Sequence, residues 1–174
     1  MRRRLAPLAA LVLPLLLSFC NDKNSNVVPF SNGSVDIRDD CDSVSFNAGL
    51  GAGTCTKAGG TTLAQFNAEL TATGKVAAWA FVPSALTITE GSTITAFNSG
   101  GEHHTFTQVA AFGGGQLPAL NTLAGTPVEA PECVNATLIA PQTSFTTLSV
   151  TGIGVVHYQC CIHPWMRADV AVVQ

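Results

Sequence analysis

The sequence predicts an all-β protein, an antiparallel β-sandwich preceded by a short helical segment. The main observation is that the chain after residue 75 contains short segments of alternating apolar and polar residues, rich in Val, Ile, Thr and Phe. Gly and Pro residues separate these segments, as they do at turns between strands. The chain also lacks the regular helix–strand alternation of a parallel sheet. The predicted strands cover residues 76–82, 86–90, 92–98, 103–109, 137–140, 144–150, 154–160 and 168–173.

Composition and charge exclude several classes of function. Only 11% of the 174 residues are charged, compared with roughly 25% in ordinary domains, which argues against a highly charged disordered tail. The formal net charge is −3. Three of the eight basic residues are Arg2, Arg3 and Arg4, so the chain after residue 19 has five basic and eleven acidic residues. Because nucleic-acid binding needs clustered Lys and Arg, a nucleic-acid partner is not expected.

The N-terminal residues predict export from the cytoplasm. A basic segment at residues 2–4 precedes an uncharged apolar run at residues 5–19, which is typical of a signal peptide over residues 1–19 and too short to span a bilayer. The sequence that ends at Cys20 is similar to a bacterial lipobox, which predicts lipidation at Cys20, although Phe19 is larger than the residue usual there. Ordinary cleavage beside an unmodified cysteine is the alternative. The expected location is the bacterial periplasm, either free or as a membrane-anchored lipoprotein.

The remaining chain divides into three parts. Residues 20–40 are polar and predict a flexible tether. Residues 41–75 predict an N-terminal extension, in which Cys41 and Cys55 bracket a Gly-rich stretch and are expected to form a disulfide. A short helix is expected within this extension, because Leu63, Phe66 and Leu70 form one apolar stripe, Thr61 or Thr62 can cap it, and Gly74 can end it. The main domain is expected over residues 76–174, with a long loop at residues 110–135.

A group of soft metal ligands lies close to the C-terminus. Cys160, His163 and Met166 have the spacing C-x2-H-x2-M. A thiolate, two imidazoles and a weak axial thioether form the copper sites of electron-transfer proteins. The second imidazole must come from elsewhere in the chain, and His103 or His104 can supply it.

These motifs resemble those of the cupredoxins, in particular the plastocyanin/amicyanin group. The loop that begins at Cys160 is similar to the short amicyanin type, with Pro and an aromatic residue before the Met. Upstream, a strand that ends in Asn98 is followed by His104 at the sixth position after that Asn. The resemblance covers about residues 76–174. It implies a Greek-key sandwich and one copper ion in a type 1 site with His104, Cys160, His163 and Met166 as ligands.

Several alternatives to this ligand set were weighed. His103 could replace His104, but His104 shares its strand parity with Phe106 and is expected to face inward. Cys161 could be the thiolate, but its spacing to His163 is too short for the loop. His157 is expected to be a surface residue, and Trp165 either covers the core or lies on the path of the electron. Zinc is disfavoured because thioether sulfur is a poor zinc ligand, and a dinuclear copper site is excluded because Cys160 and Cys161 are adjacent.

A second disulfide is expected between Cys133 and Cys161. Strand alternation turns Cys161 away from a metal bound by Cys160, and Cys133 is the distant cysteine left once Cys41 pairs with Cys55. The bridge would attach the long loop to the outer side of the ligand loop. A reduced Cys161 with a free Cys133 is the alternative.

The function expected from these features is that of an exported one-electron carrier between redox partner proteins, without catalytic turnover. Such a protein is expected to be a monomer. The alternative is a copper-binding module for copper storage, delivery or resistance. The visible spectrum of the copper-loaded protein separates the two, because a carrier site gives an intense, reversibly bleached band.

Overall fold

A computed structural model describes residues 32–174. The predicted signal peptide and the predicted lipidation at Cys20 lie outside these residues. Within the described range the chain forms eight strands, which are β1 Gly33–Arg38, β2 Ala80–Val82, β3 Ala85–Thr89, β4 Ile94–Asn98, β5 Thr107–Val109, β6 Ser144–Thr146, β7 Gly154–Gln159 and β8 Arg167–Val173. It also forms three helices and a 3₁₀ turn, at α1 Ser43–Leu50, α2 Leu63–Thr73, α3 Pro118–Leu123 and Pro131–Cys133.

The strands form two four-stranded sheets, which confirms the predicted β-sandwich. Their strand orders are β2-β1-β4-β6 and β3-β8-β7-β5. Both sheets are mixed, whereas purely antiparallel sheets were expected. Strand β1 pairs in parallel with β4, and β3 pairs in parallel with β8, while the other pairs are antiparallel. The parallel pairs join strands that are distant in sequence, and such pairs cannot be recognised from turn signals between neighbouring strands.

The position of β1 corrects the predicted tether. Residues 33–38, which were expected to be flexible, form a central strand of the first sheet. Val35 and Ile37 point inward and are fully buried. Only two apolar residues alternate here within a polar stretch, so the period-two signal was too short to recognise. The predicted strand at residues 137–140 is also absent as a strand, and a single bridge between Ile139 and His104 stands in its place.

The extension at residues 41–75 contains two helices instead of the one expected. Helix α1 begins after Asp42, whose side chain accepts a hydrogen bond from the Ser45 amide at 3.0 Å. Helix α2 begins at a capping box formed by Thr62 and Gln65 and ends at Gly74, which has a φ of 74°. The α2 helix was expected from its apolar stripe, whereas α1 has no such stripe.

The extension shares the core of the sandwich. Phe46 of α1 and Phe66 of α2 pack on Trp79, with ring centroids 5.9 and 4.8 Å from the Trp79 ring. These three rings belong to the same buried cluster as inward residues of both sheets, among them Ile37, Ile88, Phe106, Tyr158 and Val172. The extension is therefore packed as part of the sandwich and covers one end of it. None of the helices within residues 32–174 is long and apolar enough to cross a lipid bilayer.

Candidate metal centre

Three potential metal ligands meet inside the protein at the end covered by the extension. Ligand atoms of His104, Cys160 and His163 all lie within 4.8 Å of one another, and all three residues are buried. The Cys160 Sγ atom is 3.7 Å from Nδ1 of His104 and 3.9 Å from Nδ1 of His163. The two imidazoles thus present the same ring nitrogen to one thiol.

The sulfur of Cys160 is also held by the backbone. The amides of Thr105 and His163 each point to Cys160 Sγ at 3.5 Å. Two N–H donors directed at one sulfur favour its negatively charged form. Burial alone would raise the pKa of the Cys160 thiol, but hydrogen bonds and charge from His104 and His163 lower that pKa well below its usual value.

Local structure at the end of β4 fixes the position of His104. The Asn98 side chain donates to the carbonyls of Glu102 and Ile139, at 2.8 and 2.9 Å, and accepts from the Gly100 amide at 3.0 Å. The backbone of His104 in turn exchanges two hydrogen bonds with Ile139, at 3.1 and 2.8 Å. The hydrogen bonds of Asn98 therefore stabilise the loop between β4 and His104 and fix the position of His104.

The loop between β7 and β8 carries the other predicted ligands. The Cys160 amide donates to the carbonyl of Met166 at 3.0 Å, and the Met166 amide donates to the carbonyl of His163 at 2.9 Å. These bonds close a tight loop over residues 160–166. Met166 is buried in the main core, at the end of this loop, and its role as an axial ligand remains a prediction.

Two buried carboxylates face the outer nitrogens of the imidazoles, and sequence reasoning missed both. Asp39 Oδ2 lies 2.8 Å from Nε2 of His104. Glu102 Oε2 lies 3.6 Å from Nε2 of His163 and accepts a hydrogen bond from the Trp79 indole at 2.7 Å. Glu102 could have been suspected, because it immediately precedes the two adjacent histidines. Asp39 carried no signal, because it lies in a segment interpreted as a tether.

The carboxylates shift the proton equilibria of the site. Burial opposes a charge on His104, but the hydrogen bond to Asp39 and the contact with Cys160 outweigh it and raise the pKa of His104 to about 9. Burial would likewise raise the pKa of Asp39, but hydrogen bonds from His104 and from the Glu102 and Gly101 amides lower it well below its usual range. Burial raises the pKa of Glu102, and the charge of His163 only partly opposes this.

The remaining aromatic and histidine candidates lie around the site or away from it. His103 is exposed while His104 is buried, as predicted. The predicted strand at residues 103–109 is shorter, because β5 begins at Thr107, and Thr105 is buried like His104, so strand parity does not account for this difference. His157 hydrogen-bonds to the exposed Asp169 at 2.6 Å, between the neighbouring strands β7 and β8. Trp165 is half-buried, and its ring lies 5.4 Å from that of His163.

Within residues 32–174, the four cysteines outside the cluster form two disulfides. Cys41 is joined to Cys55, which closes the loop containing α1, and Cys133 is joined to Cys161. Among the described residues, Cys160 is the free cysteine. The second bridge attaches the long loop to the residue next to Cys160. The Cys161 amide also donates to the Thr105 hydroxyl at 2.7 Å. This hydrogen bond connects the segment that carries His104 to the loop that begins at Cys160.

A cavity of about 520 Å³ lies beside the site, between the extension and the long loop. Its wall is mainly apolar, and His163 and Glu102 contribute polar groups to it. His163 itself is only 3% exposed. His163, a predicted ligand, thus borders the cavity, whereas His104 is enclosed by protein.

Comparisons with known proteins found similarity to solved structures, at low sequence identity. No protein-family model matches the chain, and no curated protein sequence matches it. Among solved structures, it is similar to a purple cupredoxin from Nitrosopumilus maritimus, with 16% identity and a TM-score of 0.46 over 82% of this chain and 100% of that chain. It is also similar to a reduced amicyanin variant, with 22% identity and a TM-score of 0.40 over 57% of this chain and 78% of that chain. A Cu(I) form of another amicyanin variant shows 20% identity and a TM-score of 0.38. The cupredoxin-like sandwich expected from the motifs agrees with the two four-stranded sheets described above.

Proposed function

We propose that this chain is an exported type 1 copper protein that carries single electrons between redox partner proteins. The observation that supports this proposal is the buried cluster of His104, Cys160 and His163, whose ligand atoms lie within 4.8 Å of one another. The proposed role includes no catalytic turnover and no bound substrate. It requires only that one metal ion be held while its charge changes by one.

The chemistry of the donor set fits copper. One thiolate and two imidazoles, with a thioether available as a weak axial donor, suit the Cu(I)/Cu(II) couple. Hydrogen bonds and charge from His104 and His163 lower the pKa of the Cys160 thiol well below its usual value, which favours the thiolate form that binds metals. A zinc site would require a fourth ligand such as Cys, His, Asp or Glu, whereas the residue at the end of this loop is Met166. Bound copper would supply the one-electron change, and the residues proposed to hold it are His104, Cys160, His163 and Met166.

The way in which the ligands are held favours electron transfer over metal storage. Both ligand loops are closed by backbone hydrogen bonds, and all three clustered ligands are buried. The Cys133–Cys161 disulfide restrains the loop that carries Cys160. Ligands fixed in this way move little between the two oxidation states, which keeps the reorganisation energy small. A storage or delivery site would need to release its metal, and enclosed ligands oppose release.

The proposed location is outside the cytoplasm. The two disulfides of the described residues are expected to persist only in an oxidising compartment. This agrees with the signal peptide predicted for residues 1–19. We propose a periplasmic protein, or a lipoprotein anchored through Cys20, that acts as a monomer.

The copper spectrum of the purified protein tests the proposal. One equivalent of Cu(II) should give an intense visible band that ascorbate bleaches and a mild oxidant restores. The variant Cys160→Ser should lose this band and keep the far-ultraviolet circular dichroism of the sandwich. The matched control is the double variant Cys133→Ser and Cys161→Ser, which removes cysteines beside the site and should retain the band.

Two outcomes would contradict the proposal. A pale protein that releases copper readily to a chelator would support the storage or delivery alternative. A band that survives in Cys160→Ser and disappears in the double variant would show that the ligand assignment is wrong.

A further inference from the structure

Asp39 is the most completely enclosed charged side chain next to the candidate ligands. The side chains of Asp39 and His104 are both 0% exposed, and Asp39 Oδ2 lies 2.8 Å from Nε2 of His104. The carboxylate also accepts hydrogen bonds from three backbone amides. These come from Gly101 at 2.9 Å, Glu102 at 3.0 Å and Cys41 at 3.2 Å.

The loop after β4 is shaped around this carboxylate. A Cβ atom at Gly100 would overlap Asp39 Oδ2, and a Cβ atom at Gly101 would lie 2.7 Å from the sulfur of Cys41. Glycine at position 100 lets the backbone approach the carboxylate closely, and glycine at position 101 leaves room for the Cys41 sulfur. Asp39 is thus held by four donors in a pocket that the Gly100-Gly101 pair keeps open.

The contact determines which nitrogen of His104 can bind a metal. An ionised carboxylate only accepts hydrogen bonds, so the Nε2 atom of His104 must carry a proton. A metal must then bind at Nδ1, where it displaces any second ring proton, and Nδ1 is the atom that faces Cys160 Sγ at 3.7 Å. A carboxylate that holds the outer nitrogen of a metal-binding imidazole fixes the ring and raises its basicity.

We infer that Asp39 is a positioning residue that sets the tautomer of His104, and that its buried negative charge stabilises Cu(II) over Cu(I) and so lowers the reduction potential. This inference rests on the proposed function. A fixed negative charge attracts a dication more strongly than a monocation, and protein surroundings weaken this attraction less than water does. Asp39 therefore acts on the metal through His104 and through its charge.

Glu102 does not provide the same contact on the other side of the site. Its distance of 3.6 Å to Nε2 of His163 is too long for a direct hydrogen bond. Its carboxylate instead accepts from the Trp79 indole at 2.7 Å. The two imidazoles are therefore held differently, and the direct carboxylate contact belongs to His104.

The variant Asp39→Asn tests the inference, because it removes the charge and nearly preserves the shape. We expect the ratio of Cu(II) affinity to Cu(I) affinity to fall at least tenfold, which raises the reduction potential by about 59 mV. The matched control is Asp169→Asn, which removes the carboxylate from the half-exposed pair with His157, at 2.6 Å. This control should leave the potential of the copper site unchanged.

Measuring the two affinities separately distinguishes charge from structure. If Asp39 only supports the loop, Asp39→Asn weakens Cu(II) and Cu(I) binding by the same factor and the potential stays constant, which would overturn the inference. The two proposals also fail differently. A wild-type protein without the intense visible band contradicts the proposed function, whereas an intense band with an unchanged potential in Asp39→Asn contradicts the role of Asp39.

A measurement on the unaltered protein keeps the inference testable if Asp39→Asn does not fold. Nitrogen-15 NMR of the wild-type protein loaded with diamagnetic Cu(I) reports the protonation of each ring nitrogen. We expect His104 to carry its proton on Nε2. A proton absent from that nitrogen would overturn the inference.

Discussion

The packing of the N-terminal extension can be tested at Phe66, in the middle of α2. Phe66 is 4% exposed, and its ring lies 4.8 Å from that of Trp79 and 5.6 Å from that of Phe46. It therefore joins the two helices to the core of the sandwich. The change Phe66→Ala removes this link without altering the charge or the backbone of the helix.

The expected loss of stability follows from the surroundings of Phe66. Replacing a buried phenylalanine by alanine costs about 3–5 kcal/mol in well-packed cores. One side of Phe66 borders the cavity of about 520 Å³, so the lower end of the range, about 3 kcal/mol, is expected. That is a large share of the total of about 5–15 kcal/mol typical of a folded domain.

Urea unfolding of the metal-free protein measures this cost. The matched control is Phe97→Ala, since Phe97 lies on β4 and is 40% exposed, and it should cost about 1 kcal/mol or less. The slope of the transition should remain that of the wild-type protein, because the extension and the sandwich are expected to unfold together. Equal costs for the two variants, or a separate early transition in the wild-type protein, would refute the view that the extension shares the core.

Four further expectations concern the site and its disulfide. His104→Ala should lower copper affinity at least a hundredfold and abolish the visible band. His103→Ala changes the exposed neighbour and should retain both the affinity and the band. Equal loss from the two variants would contradict the assignment of His104. The pKa of His104 is raised to about 9, and the metal must displace the proton of this imidazole. Apparent Cu(I) affinity should therefore rise about tenfold per pH unit from pH 7 and level off above pH 9. Competition with a Cu(I) chelator at several pH values measures this, and an affinity that does not change with pH would show that the imidazole is already neutral. Met166→Leu should retain coloured copper with a higher reduction potential, as measured by voltammetry, because a donor to Cu(II) is lost; complete loss of metal would contradict a weak axial role. Replacing Cys133 and Cys161 by serine should lower the free energy of unfolding by about 3–4 kcal/mol in the chain-entropy model. Urea unfolding measures this change, and an unaltered free energy of unfolding would show that the bridge does not restrain the unfolded chain.

Local patterns in the sequence were enough to predict most of the site. The spacing of Cys160, His163 and Met166 identified the ligand loop, because residues a few positions apart in a tight loop must lie close together. The choice of His104 over His103 followed from strand parity, since neighbouring side chains point to opposite faces. The structure brings His104, Cys160 and His163 together. Helix α2 was likewise expected from its apolar stripe and cap, which are local features.

The features that the sequence did not reveal all depend on contacts between distant parts of the chain. Strand β1 pairs in parallel with β4, about 60 residues away, and parallel neighbours leave no turn between them to recognise. Helix α1 lacks an apolar stripe, and its burial rests mainly on Phe46.

Asp39 is the residue whose role depends most on contacts between distant parts of the chain. In sequence it is one of two adjacent aspartates in a polar stretch, where a carboxylate is expected to be solvated. Asp39 follows the end of β1, and the pairing of β1 with β4 brings it beside the loop after β4. Its partner His104 is 65 residues later in the sequence. A buried charge is stable only when other groups replace its hydration. Here one amide comes from Cys41, next to Asp39, and the other amides and the imidazole come from the distant loop at residues 101–104. The spacing of cysteine, histidine and methionine along the chain predicts which residues could hold a metal, while the pairing of β1 with β4 places the charge of Asp39 beside His104.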